Sequence, residues 1–308
     1  MLIILNSKAG GGEAIKKWNK IRPLIDAKIQ LNNCTIVTEY LTNYSLIHKA
    51  VKNGEKEFIA AGGDGTVNFL LNALMQYSER NMLNSMKLGA IGLGSSNDFH
   101  KPIINSEKNP IPIRVDFNSV QKRDVGYVKY CTNGKLMTKY FLINASIGLT
   151  AEGNNFFNHP DGILEKLKKS NTILAIYYAA VKTMFLYKNI KSEIKYDNEN
   201  VINSLITNLG IVKSPHFSGN LTFNSEANYK DGLLKIHLSE NLSFFNSILL
   251  LCRLTNSNQT NKFIKSRDSK NIYVKTEKNV NVEFDGETII ANSMNFGISP
   301  HKIQVCTL

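Results

Sequence analysis

Cysteine is scarce in this sequence. The 308 residues hold four, Cys34, Cys131, Cys252 and Cys306, scattered and with no Cys-x-x-Cys pair. That spacing excludes a zinc ribbon and offers no disulfide framework, and it fits reduced thiols in a cytoplasmic protein. The six histidines fall in no metal-ligand spacing of the His-Glu-x-x-His kind. No Gly-x-x-x-x-Gly-Lys-Ser/Thr loop is present, which excludes a P-loop site, and the protein-kinase motif set is missing too. Long hydrophobic runs are also absent. The greasiest stretch, 172–187, is interrupted by Lys182 and is too short to cross a bilayer, so membrane contact is expected to be peripheral. The chain opens on an apolar run without a charged n-region or cleavage site, and no signal peptide is expected. Acidic residues are few, 25 against 37 Lys and Arg, a formal net charge of +12. The excess fits an anionic partner: nucleic acid, an acidic membrane surface or a phosphorylated ligand. The basic residues form no run and match no recognition motif, so nucleic acid is not expected. An apolar content of 43% is ample for a packed core.

What is present is a set of strand ends that open into small polar loops. The clearest is Ala60-Ala61-Gly62-Gly63-Asp64-Gly65-Thr66-Val67-Asn68. The apolar run Phe58-Ile59-Ala60-Ala61 predicts a buried strand, and the apolar residues of 67–75 recur at helical spacing. Three glycines in this turn allow positive φ and let backbone N–H groups approach a ligand with no Cβ in the way. The helix that follows adds free N–H groups and the positive end of its dipole. This is read as a phosphate cradle. A plain turn with Thr66 as N-cap has the same composition, but the pattern recurs. An apolar run at 88–93 leads into Gly94-Ser95-Ser96-Asn97-Asp98-Phe99, and Leu2-Ile3-Ile4-Leu5 leads into Asn6-Ser7-Lys8-Ala9-Gly10-Gly11-Gly12. Three such loops line one edge of a parallel sheet, where open α/β sheets bind nucleotides. Inside a phosphate cradle, the Asp64 carboxylate has a use with a metal, a ribose hydroxyl or a proton.

Gly62 to Asn68 together with Gly94 to Phe99 resembles the catalytic-domain family of the diacylglycerol kinases, which includes bacterial soluble lipid kinases. Asn6 to Gly10 is similar to the family's Asn-Pro-x-x-Gly loop, with Ser7 in place of proline. Residues 141–148 are similar to a further family segment that runs from a Phe through an Asn to a Gly. The resemblance implies an ATP-dependent kinase acting on a hydroxyl of a lipid, diacylglycerol or a relative, with Mg2+ bridging the phosphates. It implies a nucleotide site from Asn6, Lys8, Thr42, Gly62, Gly63, Asp64, Gly65, Thr66, Val67, Asn68, Gly94, Ser95, Asn97 and Asp98, with Asp64 assisting the ion. Asn281-Val282-Glu283-Phe284-Asp285-Gly286-Glu287 is a strand ending in Asp-Gly-Glu, by composition an ordinary turn. In the resembled family the corresponding glutamate is the proposed general base, a role that carries to Glu287, with Asp285 orienting hydrogen bonds. Asn228-Tyr229-Lys230-Asp231-Gly232-Leu233 reads by itself as a hairpin turn. It is also similar to a family loop that holds a structural magnesium. That implies ligands from the Asp231 carboxylate and the backbone oxygens of Asn228 and Leu233. Lys230 stands where family members often have Asn or Asp. His100 stands where Ala is usual and is expected on a helix surface.

Along the chain, 13–30 predicts a helix that Pro23 should kink or break. A strand at 34–40 and a short helix at 44–53 follow, ahead of the two glycine units. The βαβαβαβ order predicts a mainly parallel sheet. Prolines 102, 110 and 112 mark a change of texture, and a domain boundary is expected near 105. An Asn133-Gly134 pair between β-rich runs predicts a hairpin. Helices are expected over 164–188 and 241–264. The stripe of Tyr177, Tyr178, Phe185 and Tyr187 in the first of these is expected to pack into the core. Separate strands are expected at 272–275, 280–284, 295–298 and 303–306. The expected architecture is an α/β domain over 1–105, of the type shared by NAD kinases and diacylglycerol kinases. A mainly antiparallel β domain with a few helices follows over 106–308, its last strands packing back toward the first. The nucleotide is expected between the two, with domain closure completing the site. A homodimer is left open. Two other readings stand beside the lipid kinase: a kinase of the same superfamily acting on a sphingoid base or NAD, and a nucleotide-binding regulator without turnover.

Overall fold

The computed structural model describes residues 1–38, 44–77, 80–102, 110–132, 134–219, 221–226, 228–255 and 262–307. Thr42, Asn133 and the end of the strand expected at 34–40 lie outside them. The chain begins with β1 (Leu2–Leu5), α1 (Ala14–Ile29), β2 (Thr35–Val37), α2 (Ser45–Lys52), β3 (Glu57–Gly62), α3 (Asp64–Tyr77), α4 (Arg80–Leu83), β4 (Lys87–Gly92), β5 (Ile113–Arg114) and β6 (Val120–Arg123). It continues with β7 (Gly126–Thr132), β8 (Lys135–Phe141), β9 (Asn144–Gly148), α5 (Leu149–Asn158), α6 (Gly162–Ser170), α7 (Thr172–Leu186), β10 (Ile190–Tyr196) and β11 (Ile202–Val212). Then come β12 (His216–Phe217), β13 (Leu221–Thr222), β14 (Leu234–Glu240), α8 (Phe244–Leu254), β15 (Lys265–Ser269), β16 (Asn271–Phe284), β17 (Glu287–Ile298) and β18 (Ile303–Cys306). These divide into two units, Met1–Val125 with Pro300–Leu308, and Gly126–Ser299.

In the first unit β3 and β4 are uncharged and buried at every position but the first, Glu57 in one and Lys87 in the other. Such strands need cover on both faces, which a parallel sheet with crossover helices provides. The sheet order is β2-β1-β3-β4-β18-β6, with β5 on β4. The strands from β2 to β18 run parallel, while β5 and β6 are antiparallel to their neighbours. Trp18, Ile21 and Ile25 of α1 pack on Ile3, Leu5 and Ile59. α1 is continuous although Pro23 lies inside it. The proline sits on the exposed side, so the lost N–H bond faces water while the buried stripe holds the helix. The first unit extends beyond 105 because 113–114 pairs with β4 and 120–123 pairs with β18.

The second unit is an antiparallel sheet of order β15-β14-β11-β10-β16-β17-β7-β8, with β9 bonded to both β11 and β16. Its core includes Phe141, Ile147, Leu209, Ile236, Val282 and Phe296. The strands expected at 272–275 and 280–284 are one strand, β16, with an irregular register between Lys275 and Val280. The turn-like break in the pattern is a bulge rather than a strand end. α5 and β15 had no clear periodic signal. α7 departs in part from its expected orientation: Tyr178 packs with Ala175 and Ala179, while Tyr177 and Phe185 face outward. Ala175 and Ala179 are buried, whereas Ile173, Leu174, Tyr177, Val181, Phe185 and Leu186 are exposed. Small residues let α7 lie close to α5 and α6, so its bulky side points outward. No described helix is long and apolar enough to cross a membrane.

Pro23→Ala should restore a donor to α1 and raise stability by roughly 1–2 kcal/mol, after allowing for the added freedom of the unfolded chain. Denaturant unfolding of the two proteins checks this, and a lower midpoint for the variant would show that the ring supports the helix by packing.

Candidate functional site

The glycine turns meet at one edge of the first sheet. β3 ends at Gly62, and α3 begins at Asp64. The Gly62 carbonyl accepts the N–H groups of Leu93 and Gly94, at 2.8 and 3.1 Å, which brings the loop after β4 against the loop after β3. The contact leaves no room for a side chain: a Cβ at Gly94 would lie 2.4 Å from the Gly63 Cα. The Asp64 carboxylate then crosses from one loop to the other. Its oxygens accept the N–H groups of Asp98 at 3.0 Å and Phe99 at 2.9 Å. Asn97 closes its own loop, accepting from the Gly94 N–H and donating to the carbonyls of Gly92 and Gly94. The first loop joins them. The Asn6 side chain donates to the Thr66 hydroxyl at 3.1 Å and accepts from the Lys8 N–H at 3.0 Å.

The expected residues therefore converge, with differences in kind. Lys8 and Ser95 are exposed, and Gly63, Asp64 and Gly65 are half-buried at the rim. Val67 and Asn68 are buried in α3, with the Asn68 side-chain oxygen accepting from Asn72 at 3.0 Å. The Asp98 carboxylate pairs with Lys101 at 2.6 Å. Sequence reasoning missed Lys17 of α1, whose ammonium donates to the carbonyls of Leu93 and Gly94 at 3.2 and 3.3 Å. Nothing in the pattern separates Lys17 from the other lysines of a solvated helix face. His100 is not on a surface. It is buried, and burial, with the charges of Arg114 and Arg123, pushes its pKa down to about 3. Both arginines lie over the Phe99 ring, at 5.7 and 5.6 Å, and Arg114 donates to the His100 carbonyl. The segment that Asp64 holds at one end is thus clamped at the other by β5 and β6.

The second cluster lies at the tip of the β16–β17 hairpin. Asp285 and Gly286 have φ of 45° and 92°, the two positive values of a tight hairpin turn. The Asp285 side chain accepts three backbone N–H groups, from Leu142 at 2.8 Å, Ile143 at 2.9 Å and Asn144 at 3.1 Å. It ties the turn to the 141–148 segment that the sequence had singled out separately. Glu283, which sequence reasoning missed, is buried beside it and accepts from the Ser146 hydroxyl and the Gly286 N–H, both at 2.8 Å. In the amide orientation that satisfies both groups, Asn144 also donates to both Glu283 oxygens at 3.2 Å. Glu287 has no such bond, and its side chain reaches solvent. Desolvation by the surrounding protein raises its pKa, and the nearby Lys139 charge lowers it. A solvent-reaching carboxylate with a raised pKa is suited to take a proton.

The Asp231 loop is occupied differently from expectation. The Lys213 ammonium donates to the Asp231 carboxylate and to the Leu233 carbonyl, both at 2.8 Å. The Asn228 side chain accepts the Lys230 N–H at 3.1 Å.

The diacylglycerol kinase catalytic domain matches residues 1–128 of this chain. A Yersinia enterocolitica protein described as a candidate lipid kinase, YegS-like, is 23% identical over 305 residues, covering 98% of this chain and 95% of its own. The crystal structure of a candidate diacylglycerol kinase from Bacillus anthracis str. Sterne superposes with a TM-score of 0.72 at 20% identity, over 100% of this chain and 94% of that one. An NAD kinase from Archaeoglobus fulgidus, solved with ATP, reaches a TM-score of 0.50 at 10% identity, over 99% and 93% of the two chains. The fold is that of these proteins.

Removing the Asp64 carboxylate frees the Asp98–His100 turn. Asp64→Ala should cost about 1–3 kcal/mol of stability and abolish measurable ATP binding by calorimetry, and unchanged ATP affinity would show that the loop needs no anchor. Asp285→Ala leaves three buried donors unmet and should cost more, on the order of 3 kcal/mol or above in urea unfolding.

Proposed function

We propose that this member of the diacylglycerol kinase catalytic-domain family, an ATP-dependent phosphotransferase with an alcohol acceptor, phosphorylates the hydroxyl of a lipid, diacylglycerol or a close relative. The observation that carries this reading is the pairing of functions within the chain: a backbone-lined turn with a helix start in the first unit, and a solvent-reaching glutamate of raised pKa in the second. In this reading the loops after β1, β3 and β4 hold the ATP phosphates through backbone N–H groups and the start of α3. Lys17 steadies the loop after β4 from α1. Each Asp64 oxygen accepts an N–H group, so Asp64 positions the turn after β4, and a carboxylate oxygen has a second lone pair for the magnesium that accompanies ATP. The lipid hydroxyl oxygen attacks the γ-phosphorus, the bond from that phosphorus to the β–γ bridging oxygen breaks, and ADP leaves. Glu287 takes the hydroxyl proton.

A lipid acceptor is supported by the outward face of the helices in the second unit. Phe185, Leu186, Phe245 and Leu249 are all half or more exposed, and Phe185 and Phe244 meet edge to face at 6.0 Å. Lys188 follows α7 closely, and Lys191 stands at the start of β10. Apolar and basic side chains together suit peripheral contact with an anionic membrane on its cytoplasmic side.

Phosphate transfer from Mg-ATP is measured with diacylglycerol, monoacylglycerol, ceramide and sphingosine in mixed micelles, and with NAD in solution. A phospholipid product is expected from a glycerolipid, with turnover lower by roughly 10²–10⁴-fold in Glu287→Gln and ATP affinity unchanged. Phosphorylation of NAD alone would overturn the lipid reading, and full turnover in Glu287→Gln would remove the base. The pH profile gives a second check. The base works only when ionised, and its pKa is raised from 4.5, so kcat/KM should fall on acidification at a higher pH than an ordinary carboxylate would dictate. That acidic limb should vanish from the residual activity of Glu287→Gln.

A further inference from the structure

Lys213 follows β11, and its ammonium is almost wholly enclosed, with 1% of the side chain exposed. A buried ammonium needs a counter-charge and acceptors for its donors. It finds both in the Asp231-Gly232-Leu233 turn ahead of β14. The two oxygens it holds at 2.8 Å are the Asp231 carboxylate Oδ1 and the Leu233 carbonyl. They are the same two groups that the magnesium-loop resemblance assigns to the metal. The carboxylate is drawn in further by the Leu233 N–H, which donates to the same Oδ1 at 3.0 Å. The backbone of Lys213 is fixed as well, its N–H donating to the Ile143 carbonyl at 2.8 Å.

A magnesium ion needs about six oxygens near 2.0–2.1 Å in octahedral array. Here one lone pair of Oδ1 faces an ammonium and another a backbone N–H, and the Leu233 oxygen faces the same ammonium. A dication on these oxygens would meet a positive charge with no water between them to screen it. The donor set does not fit the metal.

We propose that in this chain the Lys213 ammonium takes the place of a structural magnesium, pinning the Asp231 loop to the end of β11 so that the second unit folds without a divalent cation. The lysine supplies one positive charge and directed N–H donors to the oxygens that a metal would bridge. The cross-link joins residues 18 apart in sequence. It also removes any dependence of this loop on the magnesium concentration that sets the Mg-ATP level.

The test needs neither nucleotide nor lipid, so its result is independent of the acceptor assay. Thermal unfolding of the nucleotide-free full chain is followed in EDTA and in added Mg2+, and bound metal is counted by elemental analysis after gel filtration. The wild type should melt at the same temperature in both and carry no stoichiometric magnesium. Lys213→Ser, which removes the ammonium and leaves room for an ion and its water, should melt lower in EDTA and recover stability as Mg2+ is added. One tightly held magnesium per wild-type chain, or a wild-type melting point that falls in EDTA, would overturn the proposal. A folded Lys213→Ser that ignores Mg2+ would also overturn it, because the vacated oxygens would then not be a cation site. If that variant fails to fold, the wild-type metal count and EDTA comparison decide the matter by themselves.

Discussion

The bond from the Asp64 carboxylate to the N–H groups of Asp98 and Phe99 is the constraint on which the first unit's edge depends. It joins the loops after two neighbouring parallel strands beyond their last backbone bonds, which run from the Leu93 and Gly94 N–H groups to the Gly62 carbonyl. The glycines follow from it. A loop held this close to its neighbour has no space for a Cβ at position 94, and a Cβ at Gly10 would lie 2.6 Å from the Leu93 carbonyl oxygen. The Arg114 and Arg123 clamp on Phe99 then fixes the far side of the held segment.

The second unit repeats the device with another aspartate. Asp285 gathers three N–H groups of the 142–144 turn, as Asp64 gathers two of the 98–99 turn. In both places a motif aspartate serves the backbone, beside the glycine turn in one unit and beside Glu287 in the other. A carboxylate that accepts several N–H groups is a poor proton acceptor, since each bond stabilises its ionised form. Glu287, with a solvent-reaching side chain and a desolvated carboxylate, has the opposite environment. The division of labour between two acidic residues two positions apart is set by which of them the fold surrounds with donors.

Lys213 and α7 show the same logic where the chain departs from pattern. The Asp231 carboxylate takes the cation that the neighbouring strand brings to it, the lysine that follows β11. A helix rich in Ala on one side and aromatics on the other presents two candidate buried faces. Close helix packing selects the alanine side, which leaves the bulky side exposed.

Much of this was legible in the sequence. The apolar runs of β1, β3 and β4 and the glycine turns after them specified a parallel sheet with a nucleotide-type edge, because burial and positive φ are properties of local residue choice. The Asp-Gly pair at 285–286 specified its hairpin for the same reason. Tertiary structure decided the rest. It joined 113–114 and 120–123 to the first sheet through strand pairing, made one strand of two expected ones, buried His100 beside two arginines, and turned Tyr177 and Phe185 of α7 outward. It also decided which carboxylates are anchored by N–H groups and which reaches solvent, and which cation answers Asp231. Those outcomes depend on partners tens or hundreds of residues away, such as Asp285 with Leu142 or Arg114 with Cys306, and periodicity along one segment carries no record of the group that folding will bring against it.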